Sequence, residues 1–285
     1  MFTWGGWELA DLDRSERLRV SQAEIDRMIA AAAVIRNCRS ELAACNTNLV
    51  GEVTEGAPAI CSWRHYPDGE VYDPKSHAQY FFHAHAQASR QDPERGHFHT
   101  FLRAEGMPSG VTPLLLPELA LADPAPAPQA APLKHGTREE VSHLIAIAID
   151  PRGEPIRLFT TNRWVTGETW YRADDVIKML DHFAVMDGGP SVVLNRWIGA
   201  MVELFRPQIA ALLHARDETV MAWRRRRRTH VLEDLRLEIT SSLDIELDTQ
   251  LAIVDRVGDR LGDGGVRSTL GLPPMAEGWG ESFAG

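Results

Sequence analysis

Ser76-His-Ala-Gln-Tyr-Phe-Phe-His-Ala-His-Ala-Gln-Ala-Ser-Arg-Gln91 and, shortly after it, Gly96-His-Phe-His-Thr-Phe-Leu-Arg103 carry two His-x-His pairs, His83/His85 and His97/His99. Residues two apart on a strand share a face at a spacing of about 6.6 Å. The second stretch alternates like a strand. The first does too, although its alanine and glutamine content also suits a helix, on which His77, Phe81 and His85 would share a face and His83 would point elsewhere. The strand reading pairs 80–86 antiparallel with 96–103, with 85 opposite 97, 83 opposite 99 and 81 opposite 101. One face then reads Phe81/Phe101, His83/His99, His85/His97, and the other sets Phe82 against Thr100 and Tyr80 against Leu102. Directly opposed side chains start ~4.5–5.5 Å apart at Cβ, so three or four imidazoles could converge on one ion at metal–nitrogen distances of about 2.0–2.1 Å. The competing reading has each histidine separately hydrogen-bonded on a strand surface. Two such motifs so close together among aromatic residues weaken it.

Six of the eleven histidines lie between 65 and 99. Upstream of the pairs, Trp63-Arg-His65-Tyr66-Pro-Asp68-Gly-Glu70-Val-Tyr72-Asp73 contains the turn signal Pro-Asp-Gly. His65, His77, or a carboxylate from Glu70 or Asp73 could complete a metal shell, or a carboxylate could orient a ligand histidine from outside it. Tyr66 is expected to face substrate. Thr160-Thr-Asn162-Arg163-Trp164-Val-Thr166-Gly-Glu168-Thr-Trp170-Tyr171 follows a strand and sets polar groups among aromatics, as ligand pockets do. Arg163 there could take a carboxylate or phosphate as a bidentate fork. The alternative is a loop closing the sheet. His143, at a strand start, reads as structural.

Outside these motifs, Ser21-Gln-Ala-Glu24 is a capping-box signature opening a helix whose stripe is Ile25, Met28, Ile29, Ala32, Ile35, Leu42, Cys45 and Leu49, stopping between Asn46 and Gly51. Cys38 and Cys45, seven apart, both read as core. His143–Asp150 and Ile156–Thr161 form an antiparallel hairpin around Pro151-Arg-Gly-Glu-Pro155. Helices are expected at 174–186, from Ser191 with a kink at Pro207, through 216–232, and at 248–261. The stretch LRLEITSSLDIELD is ambiguous with a strand. Six of the seventeen prolines fall between Pro113 and Pro132, marking a flexible loop at 113–134 that interrupts the sheet. The expected architecture is one α+β domain. It has a helical segment at 15–50, an antiparallel sheet core at 60–172, a helical region at 174–262 and a tail at 263–285.

With 285 residues, 44% hydrophobic, the chain buries a core without needing disulfides or a metal staple. The net charge of −10 argues against a nucleic-acid or anionic-membrane binder. The Arg224–Arg228 run has acidic residues at 233–263 to pair with. Three cysteines without CxxC spacing exclude a disulfide framework and a thiolate zinc site. Met1–Arg14 lacks the basic and apolar regions of a secretory signal, and no apolar run approaches a membrane span, so the expected setting is the cytoplasm. Walker, Rossmann, HExxH and GxSxG elements are absent.

HYPDGEVYD, GHFHTFLR and TTNRWVTGE together resemble an uncharacterised bacterial family, a domain of unknown function, over roughly residues 60–215. The resemblance implies no activity. His-x-His on a β-scaffold is also similar to the cupin pattern, but Glu105 falls six positions after His99 and the spaced glycine is missing, so no cupin ligand set carries over. The residues themselves point to a histidine-ligated metal, with iron or copper favoured and zinc possible. The leading expectation is a metal-dependent oxidoreductase or oxygenase acting on a small molecule, with no nucleic-acid or membrane partner. Its alternatives are a non-catalytic metal- or ligand-binding protein and a zinc hydrolase.

Overall fold

The computed structural model describes residues 21–55, 60–84, 93–114, 116, 140–227 and 230–262. His85, residues 115 and 117–139 of the proline-rich loop, and the tail from 263 lie outside them. Six strands form one antiparallel sheet in chain order: β1 (Tyr66–Tyr72), β2 (Ala78–His83), β3 (Gly96–Arg103), β4 (Val141–Ile149), β5 (Pro155–Thr161) and β6 (Ile239–Asp244). The α+β class and the β4–β5 hairpin are as the sequence indicates. The ambiguous LRLEITSSLDIELD segment resolves as β6, so the sheet extends beyond 60–172 and interrupts the C-terminal helical region.

β2 is a strand, but its register differs from the expected one by two residues. His83 lies opposite His97, and Phe81 opposite His99. A two-residue shift leaves every side chain on its face, so the histidine face survives while the pairs change. The observed register requires glycine at position 96. A Cβ there would come within 2.5 Å of the Phe82 ring and 2.6 Å of the His83 carbonyl, so only glycine fits beside the end of β2.

The face bearing Tyr80, Phe82, Phe98, Leu102, Ile145, Ile147 and Leu158 packs against helices α1 (Gln22–Ala44), α4 (Ala173–Met179), α5 (Val192–Leu204) and α6 (Arg206–Arg227). Two short helices, α2 (Leu49–Val53) and α3 (Arg163–Thr166), lie between α1 and α4 in the chain, and α7 (Leu247–Gly262) follows β6. The Ser21 hydroxyl and Glu24 carboxylate cap α1 reciprocally, satisfying N–H groups that have no intrahelical partner. Ile25, Met28, Ala32, Ile35, Cys38 and Leu42 of α1 are buried, whereas Cys45, just past the helix, is exposed rather than core. Ile29 is exposed as well. α4 is shorter than the expected 174–186, passing into a 3-10 turn at Leu180–His182. Pro207 does not kink a continuous helix. The chain breaks at Phe205, and Pro207 falls in the first turn of α6, where its missing N–H costs no hydrogen bond. On the packed side Trp197 lies against Phe98, and the Tyr80 hydroxyl donates to Asn195 Oδ1 at 2.7 Å, so that buried polar tip is satisfied. Among the described residues no helix is long and apolar enough to cross a membrane.

Asp73 ties the β1–β2 turn to the segment before α5. Its Oδ1 accepts from the N–H groups of Lys75 and Ser76, and its Oδ2 from those of Met186 and Asp187. Burial opposes ionisation, but these four donors overcome it and hold the carboxyl down to about 2. A depressed carboxylate stabilises the fold above its unfolded value near pH 4, and that contribution is lost as pH falls toward 2. Asp73→Asn is therefore expected to lose about 2 kcal/mol at pH 7 in urea unfolding. The gap from the parent should narrow at pH 2–3. A gap independent of pH would contradict this role.

Candidate metal centre

The strand parity that buries Phe82 and Phe98 against the helices sends His83, His97 and His99 to the opposite face. That face is also closed: the three side chains belong to residues 8%, 5% and 1% exposed. His83 and His97 face each other across β2–β3, and His99 lies one step along β3. Their ring centroids form a near-equilateral triangle of 4.4 Å (His83–His97), 4.8 Å (His97–His99) and 5.1 Å (His83–His99). One nitrogen from each can be chosen so that all three lie within 4.8 Å of one another. In a tetrahedral shell at about 2.0–2.1 Å, ligand nitrogens sit about 3.4 Å apart, so small ring rotations close the set on an ion.

Two of the three rings have their outer nitrogen engaged. His97 Nδ1 lies 2.5 Å from Glu94 Oε1, a carboxylate oxygen placed to accept a hydrogen bond from the ring N–H. His99 Nδ1 lies 3.0 Å from Nε2 of His143, which is itself buried. With Nδ1–H donated outward, each Nε2 keeps its lone pair for a metal, the arrangement that fixes tautomer and ring angle in histidine metal sites. Burial, reinforced by the neighbouring histidines, holds His99 well below the usual imidazole range. Burial and then Arg216 bring His143 down to about 3. Neutral imidazole is the form that ligates, so burial holds His99 ready for an ion. The donor set therefore fits a metal ion.

Apolar rings wall the site. Phe159 meets His97 edge-on at 5.1 Å, and Phe81 and Phe101 flank His99. Behind His143, the Glu168 carboxylate accepts the His143 backbone N–H at 2.8 Å. Burial pushes Glu168 up to about 7, opposed by Arg216 and by that N–H. Arg216, fully buried, donates to the Tyr171 carbonyl and to Asp217 and stands 4.3 Å over the Trp170 ring. This network ties α6 to Trp170 and Tyr171 ahead of α4 and sets Asp217 beside the buried Arg216 charge.

The remaining sequence candidates fall elsewhere. His65 stacks on Phe81 at 3.8 Å and lies 5.6 Å from the His83 ring, with its Nδ1 against Glu70 Oε1. It is adjacent to the triad but not part of it. Glu70 is taken up by His65 and by the Gln79 amide. His77 contacts the Tyr72 hydroxyl. Tyr66 pairs with Phe82 and so lies on the helix side, its hydroxyl accepting the Cys61 N–H. Arg163 is buried against Glu233, and Asn162 and Trp164 donate to the carbonyls of Val231 and Leu237, so this stretch clasps β5 to the segment before β6. Sequence reasoning missed His143 and Glu94 as partners of the ligand rings.

The fold and site together define an antiparallel-sheet α+β protein in which three buried histidines could hold a metal ion. The chain matches the family described as a domain of unknown function (DUF6969) over residues 29–245, and it belongs to that family. The match reaches beyond the 60–215 expected from the motifs, taking in most of α1 and all of β6. No curated protein and no solved structure matches the chain.

Proposed function

We infer that the chain is a metal-dependent enzyme in which His83, His97 and His99 bind one transition-metal ion and leave a coordination position open to a small molecule. Oxidoreductase or oxygenase chemistry is the leading reaction class, with iron or copper as the metal. Convergence of the three rings, with two outer nitrogens held by Glu94 and His143, carries the reading. Three protein ligands plus an open position is the pattern of catalytic rather than closed structural sites. A bound redox metal would supply electron transfer or oxygen activation. The chain's own residues hold the rings in one tautomer, and the phenylalanine walls keep bulk water from the ion. Tyr66 and Arg163 have no part here, since each is engaged away from the triad. The proposal places the protein in the cytoplasm with a small-molecule partner and neither nucleic acid nor membrane.

The deep burial of the histidines favours a second reading, a non-catalytic metal-binding protein. Elemental analysis of protein from its native host separates the two. The enzyme reading predicts about one iron or copper per chain, with a spectrum that responds to dioxygen, oxidant or reductant. Native zinc with full function would end the oxidoreductase assignment and favour hydrolysis. A redox metal inert to every added reagent would favour the binding protein.

A further inference from the structure

Arg224–Arg227 form the last turn of α6, and the acidic residues that the sequence offers them as partners are engaged elsewhere. Glu233 pairs with Arg163, Asp234 with Arg236, Asp244 with Arg157, Asp248 with Arg39 and Asp255 with Arg36. Arg225, Arg226 and Arg227 are exposed, and none of the three has an ion-pair partner among the described residues. The self-paired run expected from the sequence is therefore not what these three arginines form. The negative end of a helix favours cations in its last turn, which accounts for basic residues at this place. It does not account for leaving them without counter-charges on a chain of net charge −10.

The helix end is held as a fixed platform. The Arg227 guanidinium stands 5.2 Å over the Trp223 ring, and the Trp223 indole N–H donates to Asp234 Oδ2 at 3.0 Å. Trp223 and Leu232 pack on the buried cluster of Trp170, Val220, Val231 and Leu237, which ties α6 to the segment that follows it. On that segment Leu235 is 39% exposed, between Asp234 and the Arg236 that pairs with it. Arginine on an aromatic base, with an exposed aliphatic side chain close by, is the composition of protein interfaces rather than of ordinary surface.

Successive helix positions lie about 100° apart, so the three guanidinium groups fan round the helix end instead of forming a row. Nucleic acids and anionic membranes present phosphates along an extended front and bind through many of them at once. The excess of acidic residues over the rest of the chain opposes both. A short carboxylate-rich peptide segment can follow the fan and set an apolar side chain on Leu235.

We propose that the C-terminal end of α6, with Leu235 beside it, is a docking surface for an acidic segment of a partner protein in which carboxylates flank an aliphatic residue. This surface is independent of the metal centre.

The test uses the full chain and a short labelled peptide of glutamates around one leucine, read by fluorescence anisotropy at low salt. The parent should bind the peptide, and the affinity should fall as salt rises, because exposed ion pairs are screened. Arg225→Gln, Arg226→Gln and Arg227→Gln combined should weaken binding roughly tenfold, the sum of three exposed ion pairs. Glutamine is a good helix former, so this variant should keep the circular dichroism of the parent. The matching triple lysine variant should retain most of the affinity, and Leu235→Ser should lose a few-fold. Arg152→Ser, at an exposed arginine on the β4–β5 turn, should change nothing. A parent that does not bind the peptide, a glutamine variant that binds it equally, or a lysine variant that loses as much as glutamine would overturn the proposal. Tighter binding of a DNA duplex or of phosphatidylserine vesicles than of the peptide would overturn it too, and would give the surface to nucleic acid or to membrane.

Discussion

Replacing His97 and His99 together by alanine is expected to abolish stoichiometric metal binding while leaving the protein folded. Both side chains lie inside the sheet face, and their removal takes two of three ligand nitrogens. The affinity loss should far exceed the roughly 10–100-fold that belongs to a ligand's hydrogen-bond partner. The fold should survive because the main core lies on the other face, where Phe82, Phe98, Ile145 and Ile147 meet the helices without touching the imidazoles' job. Truncating buried side chains costs about 2–5 kcal/mol each in tight cores, and the polar, aromatic-walled site sits at the low end of that range. Metal content by mass spectrometry of the intact protein, with circular dichroism and a thermal melt alongside, checks both halves. A variant that unfolds outright would make the ion a structural staple and reverse the ranking of enzyme over binder. Retained stoichiometric metal would remove these histidines from the ligand set.

His143→Leu should weaken metal binding by roughly 10–100-fold, because His99 then loses the acceptor that fixes its Nδ1–H and frees its Nε2. Leucine fills similar space, so the loss reports the hydrogen bond rather than a cavity. His143→Gln, whose side-chain carbonyl can accept the same proton, should recover part of the affinity and return the cobalt(II) absorption bands toward those of the parent. Leucine behaving as the parent does would show that His99 is oriented by packing alone. Equal losses in leucine and glutamine would trace the effect to shape.

Much of this arrangement was legible from the pattern of the chain. Alternation in GHFHTFLR and in Tyr80–His83 is a local property, and period two assigns His83, His97 and His99 to one face whatever the register. That is why a two-residue error left the ligand set largely intact. The register itself brings Gly96 against Phe82 and the His83 carbonyl, a cross-strand contact with no local signature. His143 was hidden for a related reason. β4 pairs His99 with Ala146 but Phe101 with His143, and the irregularity between Thr100 and Phe101 changes the parity. An unbroken ladder would have put His143 on the helix side. Bulges of this kind re-aim side chains and are not visible in alternation. Arg163 and its neighbours had the composition of a pocket, but their polar groups meet the segment at 231–237, a partner some seventy residues away in the chain. Local composition could not tell an internal clasp from a ligand site.

The central claim, that three imidazoles share one ion, is tested most directly by X-ray absorption at the edge of the metal in protein carrying one ion per chain. The account predicts about three imidazole nitrogens at about 2.0–2.1 Å with their outer-ring scattering, plus a light atom at the open position. A first shell without imidazole scattering, or one that stays the same after His97 and His99 are replaced, would contradict it.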